Sequence, residues 1–288
     1  MKKYIWICCL TLLPFIGQCA AEAPVKEIIE ADGCTIEKYS IFSPSMKRDI
    51  RIIVVLPPAY QSSPEQKFPI LHTLHGYGAP YDTWSQMSTL RQALKDRPMI
   101  VTCLDGDKGS WYLDSPLRPE SQFETFFFDE FIPYLDKTYR IDTTRRAVTG
   151  FSMGGAGAFH YMLKKPDMFK SVSSLSGAFY HLADSAGKKH ESLEGLIGTY
   201  SEYPERYKAL DQYKRIEKTA TLPPIYLHCG TEDSLLSVNR EMSSFLKAKG
   251  FRVEYKESAG AHNWAFWKAA APDVIKFHWE NGLAPAAN

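Results

Sequence analysis

Ser152 is the side chain of this sequence best placed to attack an acyl carbon. It stands in Gly150-Phe151-Ser152-Met153-Gly154, which fits G-x-S-x-G, the tight strand-to-helix elbow that lifts a serine hydroxyl clear of a sheet edge. A serine hydroxyl is a weak nucleophile until a base takes its proton, and the base needs an acid to orient it. The chain order that goes with this elbow is serine, then carboxylate, then histidine. Six histidines follow Ser152: His160, His181, His190, His228, His262 and His278. His262 lies in Ser258-Ala259-Gly260-Ala261-His262-Asn263-Trp264, a loop of small residues between a strand pattern and a helix pattern. That is where a base hangs over the sheet edge. The carboxylate is assigned to Asp233 in Cys229-Gly230-Thr231-Glu232-Asp233-Ser234, with Glu232 as its rival. An oxyanion needs backbone donors. One is the amide of Met153; the other comes from His75-Gly76-Tyr77-Gly78, with Tyr77 chosen and Gly76 second. His75, preceding the glycines, reads as a loop-shaping residue rather than a base.

These groups need a scaffold, and the apolar patterning supplies one. Thr35–Ile41, Arg48–Leu56, Pro69–Leu74, Met99–Leu104, Arg146–Thr149, Ser171–Leu175, Ile225–Cys229 and Val253–Lys256 read as strands. Between them, Gln122–Tyr139 reads as a helix kinked at Pro133, and the helix leaving the elbow runs through Ala156–Leu163 to a stop at Pro166. Leu235–Lys249 and Trp264–Trp279 complete the helical set. Apolar strands alternating with helices predict an α/β architecture with a mainly parallel central sheet and helices on both faces. Residues 181–222 break this rhythm, being rich in Lys, Glu and Tyr, and read as an insertion of short helices over the strand ends.

The 288 residues are 44% hydrophobic and 23% charged, with formal net charge +1. That balance fits an ordinary globular protein with a sizeable core and argues against nucleic acid as a partner. Lys2 and Lys3, an apolar run from Tyr4 to Ile16 and the small residues Ala20, Ala21 and Ala23 match a secretory signal too short to span a bilayer. Residues 1–21 are therefore expected to be removed, leaving one domain over 22–288 that is secreted or periplasmic. Cys19 offers an alternative, a lipid anchor at a membrane surface, although Ile16-Gly17-Gln18 departs from the usual lipobox. Cys34, Cys103 and Cys229 remain in the mature chain and are expected as buried thiols. No C-x-x-C or H-E-x-x-H pattern occurs, so no metal site is expected.

Four blocks carry a family resemblance. Leu74-His75-Gly76-Tyr77-Gly78, Ser110-Trp111-Tyr112-Leu113-Asp114-Ser115-Pro116, Gly150-Phe151-Ser152-Met153-Gly154-Gly155 and Gly260-Ala261-His262-Asn263-Trp264 stand in this order. The sequence resembles the putative esterase (esterase D) family, which includes feruloyl and acetyl-xylan esterases, tributyrin esterases and S-formylglutathione hydrolases, with mycolyltransferases as relatives. The resemblance implies an α/β-hydrolase fold, carries Ser152, Asp233 and His262 over as a triad, and implies a serine ester hydrolase that needs no cofactor. Feruloyl or acetyl esters of plant polysaccharide are the expected substrates, because members acting on them are often secreted. Trp111 and Tyr112 are the expected substrate contacts, stacking on an aromatic acyl group or a sugar. A short-chain acyl esterase, an acyltransferase and a non-catalytic glycan-binding protein on the same scaffold are the alternatives.

Overall fold

The structure, a computed structural model, describes residues 24–184, 186 and 190–285. The expected signal segment 1–21 and Cys19 lie outside the described residues. Nine strands are described: β1 (Glu27–Ala31), β2 (Cys34–Ser43), β3 (Arg48–Leu56), β4 (Phe68–Leu74), β5 (Ile100–Leu104), β6 (Ile141–Phe151), β7 (Ser171–Leu175), β8 (Ile225–Gly230) and β9 (Val253–Ser258). They form one sheet in the order β1-β2-β3-β5-β4-β6-β7-β8-β9. The first three strands and the β3–β5 pair are antiparallel, and β5-β4-β6-β7-β8-β9 is parallel. This is the α/β-hydrolase arrangement expected above.

The helices are α1 (Pro58–Ser62), α2 (Ser88–Ala93), α3 (Phe123–Thr125), α4 (Ile132–Thr138), α5 (Met153–Lys164), α6 (Glu191–Ile197), α7 (Pro204–Leu210), α8 (Gln212–Glu217), α9 (Leu236–Ala248) and α10 (Trp264–His278). The segment expected as one kinked helix is α3 and α4 joined through a π-helical stretch, Phe126–Phe131, in which the Ile132 N–H reaches back to the Phe127 carbonyl. Pro133 has no N–H to donate and its ring crowds the preceding turn, so the turn widens there. Residues 181–222 hold α6, α7 and α8 between β7 and β8.

Strands β4, β5, β7 and β8 are buried along their whole length, as parallel strands covered on both faces must be. Alternate residues of β3 enter opposite layers. Ile52 and Val54 join the core beneath α5, while Ile53 and Val55 join the one beneath α2 and α10. Each such fully buried side chain contributes about 1.5–3 kcal/mol relative to exposure. Cys34, Cys103 and Cys229 are buried and free. β1 has no counterpart in the sequence reading. It is a short, largely exposed edge strand, Glu-Ile-Ile-Glu-Ala, paired only with β2, and a charged edge gives no alternating apolar signal.

Candidate active site

Ser152 sits between β6 and α5 with φ 55° and ψ −121°. A non-glycine residue is rarely found there, and surrounding bonds must hold it. The Ser152 N–H donates to the Leu175 carbonyl on β7 at 2.9 Å, and its own carbonyl accepts from Ala178 and Ala156 at 3.2 Å each. Gly154 allows α5 to begin so close to β4. A Cβ there would overlap the Leu74 and His75 carbonyl oxygens. The elbow is thus fixed by backbone on both sides.

His262 approaches from the loop after β9. Asn263, the next residue, caps α10 by accepting from the Phe266 N–H at 3.1 Å, so the imidazole is held just outside a defined helix start. Its Nε2 is 2.9 Å from Ser152 Oγ. Its Nδ1 is 3.0 Å from both Oδ1 and Oδ2 of Asp233, across the gap between the β8 and β9 loops. Asp233 Oδ1 also accepts from the Leu235 N–H at 2.8 Å. The Asp233 side chain is sealed from solvent while the imidazole is 28% exposed. Burial pushes the Asp233 pKa up, but hydrogen bonds from His262, the Leu235 amide and the Ser176 hydroxyl outweigh it and hold the carboxyl below its usual value. With Asp233 an acceptor, Nδ1 carries the proton and Nε2 is left to accept one from Ser152.

Glu232 has a different place. Its carboxylate accepts from the Gly260 N–H at 2.7 Å and its own N–H donates to the Gly260 carbonyl at 2.9 Å. It therefore straps the β8 loop to the His262 loop and does not touch the imidazole.

Ser176 was not singled out from the sequence. It is fully buried at the end of β7, with φ 50°. Its Oγ accepts from the Trp267 indole N–H at 3.1 Å, which leaves the hydroxyl proton free to go to Asp233. The Trp267 ring meets the His262 ring edge-on at 5.0 Å and stacks on Phe151 at 4.3 Å. One tryptophan thus braces both His262 and the residue before Ser152.

Met153 is the first residue of α5, so its N–H has no partner within the helix. Tyr77 lies in the loop after β4 and, among the described residues, its N–H donates to no protein acceptor. A Cβ placed on Gly76 would lie 2.9 Å from the Phe151 ring and 3.2 Å from Ser152 Cβ, so this loop runs directly over Ser152. His75 shapes the loop from within. Its Nδ1 donates to the Gly76 carbonyl at 2.8 Å and its Nε2 accepts from the Gly106 N–H at 2.9 Å. Burial lowers its pKa, which agrees with this neutral tautomer.

A cleft of about 700 Å³ opens over Ser152 and Met153, with Tyr77, Trp111, Tyr180 and His190 among its walls. Trp111, expected as a substrate contact, is one of the residues lining it. Tyr112 does not. It is fully buried, its hydroxyl donates to the His75 carbonyl at 3.0 Å, and its ring fills the space left by Gly106 and Gly157. Tyr112 is a packing anchor under the oxyanion loop, and the expectation that it stacks on substrate is corrected. His160 and His278 are buried and are not among the residues lining this cleft. His228 pairs with Ser258 at 2.8 Å, and His181 with Glu241 at 2.7 Å. Among the described residues no group of His, Cys, Asp and Glu is arranged to hold a metal.

A family profile described as Putative esterase matches residues 43–277, well over half of the chain. The chain belongs to that family. This putative esterase family member is accordingly a carboxylic-ester hydrolase. It is 26% identical over 277 residues to an acetyl esterase of Caldicellulosiruptor saccharolyticus, covering 85% of this chain and 97% of that protein. It is 27% identical over 247 residues to an endo-1,4-beta-xylanase/feruloyl esterase of Xylanibacter ruminicola, covering 81% of this chain and 30% of that longer protein. Among solved structures, an S-formylglutathione hydrolase from Agrobacterium tumefaciens superposes with a TM-score of 0.74 at 22% identity, covering 88% of this chain and 98% of that one. The last likeness establishes the shared fold.

Proposed function

We propose that this esterase is an exported serine hydrolase that cleaves feruloyl or acetyl esters of plant polysaccharide through an acyl-enzyme on Ser152. The observation that carries the reading is the unbroken hydrogen-bonded chain Ser152 Oγ–His262 Nε2, 2.9 Å, and His262 Nδ1–Asp233, 3.0 Å. In the first half-reaction Ser152 Oγ attacks the ester carbonyl carbon as His262 Nε2 takes its proton. Asp233 stabilises the imidazolium, and the amides of Met153 and Tyr77 receive the oxyanion. The tetrahedral intermediate collapses as His262 returns the proton to the leaving alcohol. Water, deprotonated by the same imidazole, then releases the acid and restores Ser152. Every proton in this sequence passes through one nitrogen, so no metal or organic cofactor is called for.

The acyl and alcohol assignments draw on the names of the acetyl and feruloyl esterase relatives and on the signal-like Tyr4–Ile16 run. Comparing kcat/KM for methyl ferulate, acetylated xylan and a short-chain triglyceride tests the substrate. A preference for the triglyceride would overturn the polysaccharide reading. Ser152→Ala tests the chemistry, with an expected loss of about four or more orders of magnitude. Near-normal hydrolysis of nitrophenyl acetate by that variant would end it. Export is tested by fractionating the native host, where a purely cytoplasmic protein of full length contradicts it.

A further inference from the structure

The His75 ring is buried between backbone groups of two different loops. The Gly106 N–H, just beyond β5, donates to Nε2 at 2.9 Å. An amide N–H can only donate, so Nε2 is the bare nitrogen and Nδ1 carries the ring proton. That proton goes to the Gly76 carbonyl, 2.8 Å away. The loop after β5 thus sets the tautomer, and the tautomer grips one carbonyl of the loop after β4.

The Gly76 carbonyl and the Tyr77 N–H belong to one planar trans peptide, so they point in opposite directions. In the sheet β4 lies between β5 and β6 and runs parallel to both. The loops after the three strands therefore emerge at one rim. The His75 ring draws the Gly76 carbonyl toward the β5 side. The Tyr77 N–H is thereby turned toward the β6 side, where Ser152 follows the strand. The neighbouring groups are tied down separately. The Trp84 indole N–H donates to the Leu74 carbonyl and the Tyr112 hydroxyl to the His75 carbonyl, each at 3.0 Å, while the Gly78 N–H donates to the Lys108 carbonyl at 2.7 Å. Gly76 has no side chain to resist rotation of the peptide that follows it. Apart from His75, only the Ala79 N–H, 3.1 Å from the same carbonyl, restrains that peptide among the described residues.

We infer that His75 is a positioning residue for ester hydrolysis, aiming the Tyr77 N–H at the oxyanion that forms when Ser152 attacks. This rests on the reading of Ser152 as the acylated residue. His75 does not touch the substrate; it acts through the peptide it orients. A donor aimed at developing charge stabilises the transition state more than the bound ester, so its loss falls on kcat rather than KM. Removing one oxyanion donor outright costs about 10²–10³ in kcat. Here the amide itself remains and the Ala79 N–H still holds the carbonyl, so misaiming should cost less, roughly ten- to a hundredfold.

Three variants test this with nitrophenyl acetate, circular dichroism confirming the fold. His75→Ala is expected to lower kcat by roughly ten- to a hundredfold and leave KM within about threefold. An aryl trifluoromethyl ketone, whose adduct with the serine carries the oxyanion, should lose inhibition by a similar factor. His75→Leu fills the buried space without a donor and carries the same expectation should the alanine variant fold poorly. His75→Asn puts an amide NH₂ where Nδ1 stood and should keep kcat within about threefold of wild type. Gly106 loses its acceptor in all three, so a merely structural role for that bond lowers them together. A kcat near wild type without the donor, a loss carried by KM alone, or a folded asparagine variant as slow as the alanine one overturns the proposal. Any of these in a protein that still reacts with a fluorophosphonate refutes the role of His75 alone. A folded wild type that neither hydrolyses the ester nor reacts with the fluorophosphonate refutes the serine-hydrolase reading, and the role of His75 falls with it.

Discussion

Replacing Asp233 with asparagine separates the electrostatic account of this site from a merely steric one. The structure determines which way the new amide must face. Oδ1 accepts from the Leu235 N–H at 2.8 Å, so the asparagine carbonyl oxygen stays at that position and the NH₂ occupies that of Oδ2, 3.0 Å from His262 Nδ1. An NH₂ there replaces one of the two acceptors that hold the Nδ1 proton, each 3.0 Å away, with a donor, which favours the tautomer with the ring proton on Nε2. The base then presents an N–H to Ser152 Oγ, 2.9 Å away, and cannot take the hydroxyl proton. The expected cost is about four orders of magnitude in kcat, or roughly 5 kcal/mol of transition-state stabilisation. Initial rates with nitrophenyl acetate at pH 7, with circular dichroism as a check on folding, measure it. Glu232→Gln should stay within about tenfold, since Glu232 bonds the Gly260 backbone and not the imidazole. A mild Asp233→Asn paired with a severe Glu232→Gln would refute the reasoning and move the acid by one residue.

Three further outcomes follow from the same contacts. Ser176→Ala removes a hydroxyl that supports Asp233 and should lower kcat/KM for nitrophenyl acetate by roughly two- to tenfold. Trp267→Phe loses the indole N–H to Ser176 and part of the ring packed on His262, and should lower it at least as far; rates equal to wild type in both variants contradict this. His278, buried between Ser171 and Ser173 at 2.8 Å from each hydroxyl, has its pKa lowered to about 3 by burial. The unfolded chain then binds the extra proton between about pH 6.5 and 3, so stability is complete above that window and falls through it by up to about 1.4 kcal/mol per pH unit. Urea midpoints for His278→Asn should show a flatter decline between pH 6 and 4, and an unchanged slope would count against it. Gly154→Ala forces a Cβ onto the Leu74 and His75 carbonyls and should lower stability by at least about 1–3 kcal/mol. A melting temperature equal to wild type would show that α5 can retreat without penalty.

The sequence made the proposed catalytic residues legible because each lies at the junction of two patterns. Ser152 falls between a β-branched run and a helix, and Asp233 and His262 fall just beyond apolar strands, in the order the elbow demands. The choice of Asp233 over Glu232 turned on which carboxylate faces inward at the β8 end, a fact of loop geometry that adjacent acidic residues do not reveal. Tyr112 misled for a similar reason. An aromatic in a Gly- and Ser-rich loop gives no sign of which side it packs on, and its place was set by the gaps at Gly106 and Gly157, far apart in the chain. Ser176 was invisible among Ser171-Val172-Ser173-Ser174-Leu175-Ser176, where nothing marks the one serine with a positive φ. β1 went unread because an exposed edge needs no apolar alternation. The π-helical turn before Pro133, by contrast, was legible as a kink, since a proline within a helix pattern has few other outcomes.

The central claim is that Ser152 becomes acylated and that His262 makes it reactive. Mass spectrometry of protein acid-quenched during nitrophenyl acetate turnover addresses it most directly. The account expects a single acetyl group on the peptide carrying Ser152, absent from Ser152→Ala and strongly diminished in His262→Ala. Acetyl found on another residue during undiminished turnover, or equal Ser152 labelling without the imidazole, would contradict it.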